Sequence, residues 1–91
     1  MERQTNDWTV YTKTGCNNCW IVKRMLEINK MAFDTVNCDE ELIERKEAFM
    51  KNMRQQMNID ETERIYFPIV FYKGRYVEDY FTLIEEITDE F

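Results

Sequence analysis

The chain predicts an α/β domain with a mixed sheet, on three observations. Two extended segments, Trp8–Thr12 and residues 33–38, flank one helical stripe, and a βαβ unit of that kind implies a parallel strand pair. The most apolar run, residues 65–72, is followed by Lys73-Gly74-Arg75 and then Tyr76-Val77, which reads as a hairpin and hence an antiparallel pair. Hydrophobic residues make up 44% of the 91, with two Gly and one Pro, a balance that fits an ordered body and not a linker.

The elements follow in order. Trp8-Thr9-Val10-Tyr11-Thr12 alternates large apolar with smaller polar groups and is rich in β-branched and aromatic residues, as a strand should be. Gly15 permits a turn where a side chain would obstruct approach to Cys16. Over residues 17–30, Ile21, Val22, Met25 and Leu26, with Ile28 and Asn29 after them, give a helical stripe that leaves out most of the charged groups. Residues 33–38 form the second strand. Asp39 is the expected N-cap of one long second helix, with Leu42, Phe49, Met50, Met53 and Met57 on its buried face. Residues 58–64 are polar and read as a loop. Thr82-Leu83-Ile84-Glu85 is a capping box, which places a last helix over residues 83–90 with Leu83, Ile84 and Ile87 inward.

Composition narrows the function classes. A net charge of −6 disfavours nucleic acid and anionic membrane as partners. The charge is uneven: residues 1–30 carry five basic and three acidic groups (+2), and residues 31–91 carry seven and fifteen (−8). No apolar run approaches the ~20 residues that cross a bilayer, and residues 1–7 show no signal-peptide core. Three cysteines do not make a disulfide scaffold, so a reducing, cytoplasmic setting is expected. The chain is also expected to be a monomer. The absence of His removes Cys–His and Ser–His catalysis and imidazole metal ligands, and no metal site is expected.

The chemistry gathers at Cys16-Asn17-Asn18-Cys19. Two intervening residues put both sulfurs on the first turn of a helix, where free backbone N–H groups and the dipole favour a thiolate. Such settings lower a cysteine pKa from ~8.5 to about 3.5–7. Alone, the spacing also fits half of a zinc site. Cys38, at the end of the second strand, is expected to be a buried, inert small hydrophobe.

The order of strand, Cys-x-x-Cys helix, strand, helix, Pro-led strand, hairpin partner and helix resembles the glutaredoxins, small members of the thioredoxin fold. Val10-Tyr11-Thr12-Lys13-Thr14-Gly15-Cys16-Asn17-Asn18-Cys19 and Phe67-Pro68-Ile69-Val70-Phe71-Tyr72-Lys73-Gly74 carry the resemblance, which covers residues 8–91. It implies a single domain over residues 1–91, with a four-stranded mixed sheet and three flanking helices. It also implies a thiol–disulfide oxidoreductase in which Cys16 is the nucleophile and Cys19 the resolving thiol. Further implications are a cis Phe67–Pro68 bond, Tyr11 and Phe67 flanking the thiolate, and Phe67 offering its backbone to the cysteinyl part of glutathione. Lys13 would pair with the glycyl carboxylate. No tightly bound cofactor is implied. Glutathione is the implied co-substrate, and disulfide-containing proteins such as ribonucleotide reductase the clients.

Two departures from the family pattern stand out. Counted from Pro68, the family's Gly-Gly pair and its helix-initial Asp fall on Glu78-Asp79 and Thr82. Asp79 and Thr82 are thus the residues expected to meet the γ-glutamyl end, and the added carboxylates repel it by ~1 kcal/mol. Asn17-Asn18 also replaces the common Pro-Tyr. Weakened glutathione binding with disulfide exchange retained is the resulting expectation. The alternatives are an iron–sulfur carrier using Cys16 from two protomers, a thioredoxin-like electron donor that does not use glutathione, and a non-catalytic binding module.

Overall fold

The computed structural model describes residues 7–89, with side chains described as far as Glu86. Its strands are β1 (Trp8–Thr12), β2 (Phe33–Asn37), β3 (Ile69–Tyr72) and β4 (Arg75–Tyr76), in the sheet order β2-β1-β3-β4. β1 runs parallel to β2 and antiparallel to β3, and β4 is antiparallel to β3. The mixed sheet expected of a thioredoxin fold is therefore present. Lys73 (φ 52°) and Gly74 (φ 82°) make the two-residue hairpin turn, with both central residues left-handed as a type I′ turn needs.

Four helices accompany the sheet, one more than expected: α1 (Asn17–Ile28), α2 (Asp39–Glu44), α3 (Lys46–Met57) and α4 (Tyr80–Asp89). The single long second helix is broken at Arg45, whose φ of −150° and ψ of 55° interrupt the hydrogen-bond ladder. α2 buries no side chain fully, whereas α3 lays Met53 and Met57 against the sheet. The break lets the second run follow its own axis.

The sheet is packed on both faces. Trp8, Val10 and Val70 meet Val22 and Leu26 of α1 and Ile84 of α4 on one side. Ile69 and Phe71 meet Met53 and Met57 of α3 on the other. Ile69, Val70 and Phe71 are all buried, which explains why β3 reads as an unbroken apolar run instead of an alternating one. Each such fully buried aliphatic side chain contributes about 1.5–3 kcal/mol.

Two details of the expected pattern shift. The buried face of α1 is Cys19, Val22 and Leu26, while Ile21 and Ile28 are exposed. α4 begins three residues earlier than expected because Asp79, not Thr82, caps it: the Asp79 carboxylate accepts the Thr82 N–H (3.2 Å) and hydroxyl (2.9 Å). The Ile87 side chain lies outside the described residues. Among the described residues no helix is long and apolar enough to cross a membrane.

Candidate active site

Cys16 is the N-cap residue of α1, at the end of the loop that leaves β1. Gly15 makes the turn with φ 81°, and a Cβ there would meet nothing within 4 Å, so the left-handed conformation alone calls for glycine. The Cys16 sulfur accepts the Cys19 N–H at 3.1 Å. The two cysteines are disulfide-bonded, with Cα atoms 5.3 Å apart. Cys16 is half-buried and Cys19 is 2% exposed, so one sulfur is accessible and the other is covered by the helix.

The loop is held from outside. Thr14 donates its N–H (2.9 Å) and its hydroxyl to the Asp39 carboxylate, 25 residues on. These bonds to the charged form hold the Asp39 carboxyl below its usual range. Asp39 was expected to cap the second helix; Cys38 takes the cap position, with no side-chain cap bond, because the carboxylate is engaged by Thr14.

Phe67–Pro68 is cis and lies just ahead of β3. Among the described residues the Phe67 N–H and C=O make no internal hydrogen bond, so both are free for an incoming chain. The Lys13 ammonium sits 5.4 Å from the centre of the Phe67 ring. A groove of about 320 Å³ is lined by Asn18, which lies between the two cysteines in sequence, together with Phe67, Pro68, Tyr76, Glu78 and Tyr80.

The glutaredoxin family model matches residues 8–77, most of the chain, from β1 through the cysteine pair and Phe67–Pro68 to the hairpin. The chain belongs to the glutaredoxin family. Glutaredoxins are thiol–disulfide oxidoreductases, and the Cys16–Cys19 pair supplies the required dithiol. A glutaredoxin-like protein NrdH of Lactococcus lactis is 46% identical over 33 residues, 36% of this chain; the match spans about half that relative's length (46%). Glutaredoxin 1 of Francisella tularensis superposes with a TM-score of 0.70 at 21% identity, over 90% of this chain and 95% of that one. A buckwheat glutaredoxin–glutathione complex superposes at 0.64 and 21%, over 91% and 76%. At that identity the two structures speak to the fold.

In this glutaredoxin the expected site residues divide. Cys16 is bonded to Cys19, Lys13 meets the Phe67 ring, and Phe67 and Pro68 share a groove with Asn18 of the Cys-x-x-Cys turn. Tyr11 does not join them. Strand alternation turns it away from Trp8, Val10 and Thr12, and its ring meets Phe71 edge-on at 5.7 Å in the layer beneath α3. Burial there, with a lesser push from Cys38, raises its pKa. Asp79 and Thr82 bond each other at the cap of α4 and do not line the groove. The sequence reading missed Thr14 and Asp39 as the loop's tether, and Glu63, Tyr76 and Tyr80 as groove lining. A signal did exist for Asp39: it follows β2 at the same sheet end where the loop follows β1.

Proposed function

We propose that this glutaredoxin reduces disulfides of polypeptide substrates through Cys16 and Cys19, with glutathione a poor partner. The carrying observation is the pair itself, with an accessible sulfur that accepts a backbone N–H and a covered one a single turn along. In the reduced protein that N–H stabilises a Cys16 thiolate. The thiolate attacks one sulfur of the substrate disulfide, an S–S bond forms to Cys16, and the other substrate sulfur leaves as a thiolate. Cys19 then gives up its proton and attacks Cys16. The substrate's second thiolate leaves, and two electrons have passed from the protein to the substrate.

Two observations support polypeptide over glutathione. The free Phe67 backbone suits strand addition by an extended chain. Glu78 lines the groove where a γ-glutamyl carboxylate would approach, and Asp79 and Thr82 are already committed to the helix cap. Ribonucleotide reductase is the first client to test, on the family resemblance.

The test uses the Cys19→Ser form, which cannot resolve its adduct. Mixed with a peptide disulfide, it should accumulate a Cys16–peptide adduct by mass; with glutathione disulfide, the adduct should form far more slowly. Equal trapping of both, or glutathione-coupled turnover matching an ordinary dithiol glutaredoxin, would overturn the reading.

A further inference from the structure

The groove beside the cysteine pair has an excess of one charge. Glu63 and Glu78 line it and Arg64 offsets one of them, which leaves the lining at −1 (two acidic groups against one basic). Both carboxylates act on the Tyr76 hydroxyl, whose pKa is raised by burial first, then by Glu78 and Glu63. Three tyrosines stand among the remaining walls: Tyr66, 71% exposed, and the half-buried Tyr76 and Tyr80, beside Ile59 and Pro68. On the cysteine side the Phe67 ring is already taken by the Lys13 ammonium.

Carboxylates set among aromatic faces attract an ammonium or guanidinium group through charge and through the ring quadrupoles together. They repel another carboxylate. We propose that Glu78, assisted by Glu63, determines substrate charge: this glutaredoxin selects polypeptide disulfides that carry Lys or Arg beside the reacting cysteine. The proposal rests on the reading above and gives its substrate class. A chain laid along Phe67–Pro68 advances about 3.3 Å per residue. A residue one or two places from the cysteine that meets Cys16 would lie within about 7 Å of it along the chain, a span that a long basic side chain extends toward the cavity lined by Asn18, Phe67 and Pro68. The γ-glutamyl end of glutathione pairs one ammonium with one carboxylate, so it gains no net attraction from the same groove.

The test takes three symmetrical peptide disulfides that differ only in the residue after cysteine: Lys, Gln or Glu. The fully reduced chain is mixed with each, and the single-turnover rate constant is read from the thiol released. The expected Lys-to-Glu ratio is about tenfold at 20 mM salt, falling below about threefold at 500 mM as the charges are screened. In E63Q/E78Q the ratio should fall toward one. Because the ratio is taken within one variant, a general loss of activity does not disturb it. A wild-type ratio near one, or a ratio that survives in E63Q/E78Q, would overturn the inference while reduction of the Gln peptide left the broader function standing. Failure to reduce even the Gln peptide would overturn both.

Discussion

Cys16 and Cys38 follow neighbouring parallel strands, and each is the N-cap residue of the helix that comes next. Their surroundings run in opposite directions. Cys16 is half-buried, accepts the Cys19 N–H, and has no acidic residue in the first turn of its twelve-residue helix. Cys38 is 1% exposed and is followed at once by Asp39, Glu40 and Glu41 in a helix of six residues. Burial above all, then Glu41 and Asp39, pushes its thiol up to about 11. Its S–H is turned to the Val36 carbonyl at 3.7 Å. The contrast teaches that a helix N-terminus does not by itself make a reactive cysteine. A solvent path and a first turn free of acids decide whether the dipole's help survives.

Substitution should break the pair apart most sharply. Cys16→Ser is expected to lower the rate of peptide-disulfide reduction by about 1,000-fold or more, since no other group supplies the attacking sulfur. Cys38→Ser should leave that rate within about twofold and act on stability instead. A buried hydroxyl in place of the thiol costs about 1–3 kcal/mol, readable as a lower urea midpoint.

The next effect is one of pH. Cys38 holds its proton more tightly folded (about 11) than its ordinary value of 9.0. It therefore adds stability below pH 9 that is lost as pH rises through about 11. Raised values at Tyr11, Tyr76 and Tyr80 act with the same sign. The fall in thermal midpoint over that range should accordingly shrink, without vanishing, in Cys38→Ala. An identical fall in both proteins would show that Cys38 does not titrate there. Smallest of all, Glu41→Gln should speed alkylation of Cys38 at pH 9 by no more than a few-fold, because burial outweighs the charge it removes.

The sequence disclosed the half of the molecule where local rules prevail. β1, the Cys-x-x-Cys turn and the Lys73-Gly74 hairpin carry their own signatures in alternation, spacing and turn residues. The break at Arg45 has none. Residues 42–47 are Leu-Ile-Glu-Arg-Lys-Glu, with no Gly or Pro, so tertiary packing overrides helix propensity. Capping failed for the same kind of reason. Asp39 serves Thr14 across 25 residues, and Asp79 outranks Thr82, three positions away, as a cap. In the site, the Cys16–Cys19 pair and the cis Phe67–Pro68 bond were legible from the motif and the order of elements. Tyr11 was misplaced although its alternation with Val10 and Thr12 already put it on the α3 face. Glu63 and Tyr76 meet across the groove only after folding.

One measurement bears most directly on the claim that this fold makes one sulfur reactive and hides the other. The reduced native chain is treated with iodoacetamide at pH 6, and the label on each cysteine is timed by peptide mass analysis. Cys16 should be modified at least about tenfold faster than a free thiol, as expected of a stabilised thiolate. Cys38 should stay unlabelled until denaturant is added. Labelling of Cys16 no faster than a free thiol, or of native Cys38 at a comparable rate, would contradict the account.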